Sequence, residues 1–228
     1  LLSNLVKNSA FSTISSEGFY EFLPVGKYIR VNSINEQILT NAEAKEKFCI
    51  KSFIKIKIGF VGNCRFFKES YKLIDSLANN DRFEIWYCGT NSDILKKYAE
   101  INNIKNVFTK PAFALEETLE IVKDFNMVNS AFGNDAIDNR TLMPIRLYTA
   151  ISMHIPVLAS DNSQLAKEIA ANGIGYVIKD YEGLGLSLFQ YFTNLDYEKF
   201  TVNCDKYIEK SRKENSIFTE KLTITLGE

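Results

Sequence analysis

Histidine and tryptophan occur once each in these 228 residues, and proline four times. One histidine, His154, excludes the imidazole clusters that hold zinc. With no serine or cysteine nucleophile that can be argued beside it, a structural role is expected. Cys49, Cys64, Cys88 and Cys204 have no C-x-x-C spacing, so they read as free thiols of a reduced compartment, and no metal is expected. Neither charge sign is in surplus: 27 Lys and Arg against 28 Asp and Glu leave a net charge of -1. That removes the bulk field on which nucleic-acid binding relies, so no nucleic-acid partner is expected. No apolar run reaches the roughly 18 to 20 residues of a membrane helix, and the first residues lack the plan of a signal peptide. A cytoplasmic protein is the expectation.

What is present is ordinary globular material, 46% hydrophobic and 24% charged, enough for one large domain or one domain plus part of another. The opening reads as a helix tail (1–10), a short strand (11–15), a turn into 17–23 and a strand (28–33). A polar linker follows from about Asn35 to Lys47. Beyond it, apolar strands alternate with amphipathic helices: strands at 54–61, 83–88, 107–109, 127–131, 156–159 and 175–178, with helical stripes such as Tyr71, Ile74, Leu77 and Ala78, or Ile94, Leu95, Tyr98 and Ala99, or Leu115, Leu119 and Val122. Ser92 is the expected N-cap of the second of these helices. The sequence predicts an α/β fold, a doubly wound, mostly parallel six-stranded Rossmann-like sheet, with ligands at the carboxyl ends of the strands. Two closing helices (181–193 and 196–213) carry Leu188, Phe192, Phe200, Tyr207 and Ile208. Phe83, Trp86 and Tyr87 read as core aromatics with no ligand.

Two stretches carry chemistry. In Gly62-Asn-Cys-Arg65-Phe-Phe-Lys68 a strand ends in glycine and a helix opens beside two cations, which suits a phosphate; alternatively the glycine makes a turn and the cations are solvated. The stretch is not a G-x-G-x-x-G fingerprint. In Thr141-Leu-Met-Pro144-Ile-Arg146-Leu-Tyr-Thr149, a proline near a helix start leaves free amides and the positive dipole end facing the cleft. Arg146 in the first turn opposes that dipole, which an anionic ligand would reverse; the alternative is a sideways pairing with Asp135 or Asp138. Those two aspartates, in the polar loop 133–140, read as turn formers. Thr149 in mid-helix reads as bonded back to a carbonyl.

The second stretch, running on into Ser-Met-His154-Ile-Pro156-Val-Leu, resembles the donor-binding segment of GT-B fold glycosyltransferases of the group 1, family 4-like kind that build bacterial surface polysaccharides. The resemblance implies the C-terminal half of a GT-B fold at 51–228, with 1–50 a remnant of the N-terminal acceptor domain and linker, and most of that domain missing. It implies transfer of a sugar from a nucleotide-diphosphate donor to a hydroxyl acceptor, with the fragment alone binding and not turning over. Gly62, Arg65, Lys68, Met143, Pro144 and Arg146 would hold the diphosphate. Thr109, Lys110 and Thr149 would lie at the nucleoside, and Asn139 and Thr141 on the sugar side. No cofactor is implied, the nucleotide sugar being substrate. The partner is a glycan or lipid-linked acceptor, met by peripheral association at the inner membrane face through the missing domain. Two departures stand out: the family's glutamate pair is replaced by Thr141 and Thr149, and His154 stands where glycine is usual. A non-catalytic binding or scaffold domain that lost those glutamates, and an unrelated doubly wound domain, are the other readings.

Overall fold

The computed structural model describes residues 1–43 and 55–227. Helix α1 (Leu2–Asn8) leads into β1 (Ser12–Ile14), a 3-10 turn at Glu17–Glu21 and β2 (Tyr28–Arg30), with β1 and β2 paired in parallel. After α2 (Glu36–Glu43) the chain alternates regularly: β3 (Ile56–Val61), α3 (Phe67–Ser76), β4 (Phe83–Cys88), α4 (Ser92–Ile101) and β5 (Val107–Lys110). A 3-10 turn at Leu115–Glu117 enters α5 (Thr118–Val122), followed by β6 (Met127–Ser130), α6 (Ile137–Thr141), α7 (Ile145–Ser152), β7 (Val157–Ser160), α8 (Gln164–Asn172) and β8 (Gly175–Ile178). Helices α9 (Leu184–Asn194) and α10 (Tyr197–Leu226) close the described chain.

Six strands form one all-parallel sheet in the order β5-β4-β3-β6-β7-β8. The chain steps outward from β3 to β5, then returns to the other side of β3 with β6. The loops after β3 and β6 therefore diverge, and the crevice between them is where a doubly wound sheet takes its ligand. Strands β6 and β7 are buried along their whole length, as expected where helices cover both faces. In β4 the period-two alternation divides the side chains: Phe83, Ile85 and Tyr87 enter the core with Leu73, Ile74, Leu95 and Leu188. Cys88 and Trp86 face the opposite core of Leu147, Ile151, Leu165, Ile169 and Phe200. Trp86 is only partly buried there and stacks on Phe108 at 4.8 Å between ring centroids.

Several local expectations are corrected. The polar linker from Asn35 contains α2, because Asn35 Oδ1 accepts the Ile38 N–H at 3.1 Å and Ile38, Leu39 and Ala42 bury one helical face against α7; residues 44–47 of that linker, Ile54 and Cys49 lie outside the described residues. The loop at 133–140 is interrupted by α6, whose start at Ile137 follows the extended residue Ala136. Ser92 is the first residue of α4 and not its cap; its hydroxyl donates to the Lys110 carbonyl at 3.0 Å. Ile94 and Leu115 are exposed, since their helices rest on the sheet through neighbouring positions. The last helix runs on to Leu226, its polar composition past Lys213 being no obstacle to helix. Ile217, Leu222, Ile224 and Leu226 leave apolar surface exposed near its end.

The first thirty-odd residues are fastened to the α/β body chiefly through one asparagine. Asn32 donates its backbone N–H to Asn215 Oδ1 at 2.7 Å and its amide to Glu214 Oε2 at 2.7 Å and the Ser211 carbonyl at 3.2 Å. It accepts from Tyr148 Oη at 2.8 Å and, on its carbonyl, from Asn215 Nδ2 at 3.0 Å. Beside it Arg30 pairs with Glu168 at 2.7 Å. The guanidinium's pKa is raised by Tyr207, Glu168 and Glu214 against the opposing effect of its burial, so it is a fixed cation. Helices α7, α8 and α10 are thus tied to β2 by satisfied buried polar groups, where an unsatisfied one would cost about 1–3 kcal/mol.

Candidate anion-binding cleft

A cleft of about 640 Å³ opens at the carboxyl ends of the strands, lined among others by Gly62, Asn63, Arg65, Gly89, Phe113, Met143, Pro144, Arg146 and Thr149. Its size is that of a small-molecule site. The floor depends on two glycines in backbone conformations that side chains avoid, Gly62 at φ 117° and Gly89 at φ 135°. A Cβ on Gly89 would lie 2.0 Å from the Gly62 carbonyl oxygen. With no side chain there, the turns after β3 and β4 stack closely, joined by Gly62 N–H to the Cys88 carbonyl at 2.8 Å and Cys64 N–H to the Thr90 carbonyl at 2.9 Å.

Two helix starts face this floor. Helix α3 begins beside Arg65 with Phe66 at its N-cap, and α7 begins after Pro144; neither cap residue offers a side-chain hydrogen bond. By contrast, Ser163 and Asp196 cap α8 and α10 by accepting from Ala166 N–H and Lys199 N–H. In α7 Leu147 N–H already bonds the Pro144 carbonyl at 3.0 Å; the earlier first-turn amides have no partner within their own helix, so the uncapped starts present positive dipole ends to the cleft.

Arg146 is the centre of the arrangement. Its guanidinium lies 3.8 Å from the centroid of Phe60 and 5.1 Å from that of Phe132. Nη1 is sealed from solvent and has no hydrogen-bond partner among the described residues. Burial pulls its pKa down to about 10, and Arg65 nearby pushes the same way, so it is cationic at neutral pH. Neither sideways partner is engaged: Asp135 pairs with Lys68, and Arg146 stands in the cleft wall. Arg65 is exposed over the Phe66 ring and has no carboxylate partner among the described residues. Burial pushes the Cys64 thiol up to about 12 and the Cys88 thiol up to about 11, which favours their protonated forms at neutral pH.

The other residues singled out from sequence divide. Gly62, Arg65, Met143, Pro144, Arg146 and Thr149 come together in the cleft. Lys68 does not line it; it stands exposed with Asp135, which raises its pKa and lowers that of the carboxyl. Thr149 is buried and donates to the Ile145 carbonyl at 3.4 Å. Thr141 is buried, donates to the Ile137 carbonyl at 2.9 Å, and accepts Ser16 Oγ on its own carbonyl at 2.6 Å. Asn139 lies half-buried on α6, outside the lining. Thr109 and Lys110 end β5 just short of the cleft, the Lys110 carbonyl taking Gly89 N–H at 2.9 Å and its ammonium reaching Glu117 at 3.1 Å. Sequence reasoning missed Phe60 and Phe132, the rings that hold Arg146, and Phe113 in the wall; hydrophobic patterning marks such residues as core without showing which strand-end rings meet a cation.

His154 is buried and hydrogen-bonded to Asp205 at 2.8 Å. It sits at φ 56° just past α7, where His154 N–H bonds the Ile151 carbonyl at 3.1 Å and Ile155 N–H the Ala150 carbonyl at 3.0 Å. This is a Schellman helix end, whose left-handed position favours glycine. Among the described residues no helix is long and apolar enough to cross a membrane.

No protein-family model and no curated protein matches the chain. Solved structures do match. A glycosyltransferase from Rickettsia africae superposes with a TM-score of 0.69 at 14% identity, covering 97% of this chain and 65% of that one. Sucrose-phosphate synthase from Thermosynechococcus elongatus gives 0.67 at 12% identity, over 98% and 59%. Anabaena HepE in complex with UDP-glucose gives 0.64 at 13% identity, over 97% and 66%. The chain spans less than two thirds of the length of each. With its switch-point cleft and its 3-2-1-4-5-6 strand order, the chain has the fold of the C-terminal, Rossmann-like half of GT-B glycosyltransferases.

Proposed function

We propose that the cleft is the donor site of a glycosyltransferase and seats the diphosphate of a nucleotide sugar. The observation that carries the reading is the buried guanidinium of Arg146, whose Nη1 lacks a partner among the described residues beside two uncapped helix starts. A buried charged donor left unpaired is costly, and an incoming phosphate oxygen supplies the missing acceptor. A UDP-glucose complex of a protein with this fold supports a nucleotide sugar as the ligand.

In this reading, residues 51–228 form the donor domain and residues 1–50 the edge of an acceptor domain with its linker. The acceptor is a hydroxyl of a glycan or lipid-linked glycan. As the glycosidic bond to the donor breaks, negative charge grows on the leaving diphosphate, and fixed cations and helix amides stabilise that charge without having to reorganise. Arg65 and Arg146 supply the charge and the first turns of α3 and α7 the amides. Lys68, held by Asp135, is left out of the set.

The test is calorimetry of the protein with UDP-, GDP- and CMP-sugars. Binding of the UDP- or GDP-sugar that weakens about tenfold or more in Arg65→Ala is the expected outcome, and binding of the CMP-sugar alone, which carries a single phosphate, would count against a diphosphate site. No heat with any of them would remove the proposal.

A further inference from the structure

We infer that the cleft does not read the pentose, so that ribo- and 2′-deoxyribonucleoside diphosphates bind it alike. The inference rests on the donor-site reading above and concerns what that site ignores. A ribose presents two adjacent hydroxyl donors, and strong recognition of such a pair calls for a charged acceptor, because hydrogen bonds to an ionised group are about twice as strong as neutral ones. Removing the 2′-hydroxyl from a site so equipped costs tenfold or more in affinity.

Among the described residues this cleft has no such acceptor. None of its lining residues is Asp or Glu; its charged side chains, Arg65 and Arg146, are both cations. On the wall formed by α7, the polar side chain one turn beyond Arg146 is Thr149, at helical spacing i+3 and 3% exposed. Its proton is committed to the Ile145 carbonyl, which leaves one neutral oxygen on a rigid β-branched side chain. At the other end of the segment the Thr141 hydroxyl and carbonyl are both occupied within the protein. Of the described carboxylates just outside the lining, Glu117 holds Lys110 and the Ala114 N–H and Asp135 holds Lys68, while Asp93 and Glu116 do not line the cleft. Affinity must then come from the diphosphate on the cations and helix amides, and from the base against apolar wall such as Phe113, Leu115 and Val122. The sugar between them is a spacer.

Titration calorimetry with UDP, dUDP, GDP, dGDP and pyrophosphate tests this. The expected result is that the ribo and deoxy members of the binding pair agree within about threefold, and that Arg146→Met weakens both by the same factor. A ribonucleotide preference above about tenfold overturns the inference, more so if Thr149→Val abolishes it, while leaving the donor-site reading intact. Absence of binding by every nucleoside diphosphate overturns both. Pyrophosphate shows how much of the affinity is anion alone; if it binds as tightly as the nucleotides, the base contributes nothing and the division of labour argued here fails.

Discussion

Arg146→Met separates a ligand-seeking guanidinium from a structural one, because the two roles move stability and binding differently. In the free protein, methionine removes a buried donor that has no partner among the described residues, a relief of about 1–3 kcal/mol. It also forfeits the cation's contact with the Phe60 and Phe132 rings, a loss of about 2 kcal/mol when desolvated. The flexible thioether still packs on both rings. The two effects offset to within about 1 kcal/mol, so the melting temperature should shift by less than about 4 °C for a chain of this size. Binding has no such offset: losing one charge-assisted bond to a phosphate oxygen costs about 1.5–3 kcal/mol, or roughly 10- to 150-fold in Kd. Differential scanning fluorimetry and calorimetry with UDP read the two quantities on one preparation. An unchanged Kd would refute the reasoning, and so would a variant that melts more than about 10 °C lower, since Arg146 would then be holding the fold together.

Burial has lowered the Arg146 pKa to about 10, and a bound anion favours the protonated form, so affinity for UDP should hold to about pH 9 and fall as pH rises through 10, a slope absent in Arg146→Met. Gly89→Ala places a Cβ 2.0 Å from the Gly62 carbonyl oxygen at φ 135°; a loss of about 3 kcal/mol or more, read from urea unfolding, is expected, from backbone strain and displacement of the β3 turn together. At φ 56°, His154→Val should cost about 2–3 kcal/mol from left-handed strain plus the lost Asp205 bond. His154→Gly should stay within about 1 kcal/mol of wild type, and equal melting of the two variants would contradict the backbone argument. Asn32→Leu removes the acceptor of Tyr148 Oη and a donor to Glu214 together with its bond to the Ser211 carbonyl; about 2–4 kcal/mol of destabilisation and faster proteolysis within residues 1–31 are expected.

The α/β order of the sheet was legible because each strand from 83 onward is a short apolar run closed by a turn residue, and each helix shows a stripe at 3.6 spacing. Helix α2 was not, since Ile38, Leu39 and Ala42 form a short face in a polar setting, and only the approach of α7 makes that face worth burying. Of the candidate site, the members read from helix starts and strand ends, Gly62, Arg65, Pro144 and Arg146, do meet in one cleft, because topology fixes where such ends go. Side-chain direction is a tertiary property. Lys68 and Asp135 are 67 residues apart and choose each other, and nothing in either local pattern signals it. The glycine-favouring position filled by His154 was visible only as a departure from a resembling family; its left-handed φ supplies the physical cause.

The Asn32 fastening has a mechanical consequence for the cleft. Ser33 and Ile38, immediately downstream, form part of its wall, and that wall hangs from an anchor gripped by α7 and α10. Swinging it outward would mean breaking several buried polar contacts at once. The wall on this side of the cleft is therefore set in place by a buried polar anchor before any molecule enters.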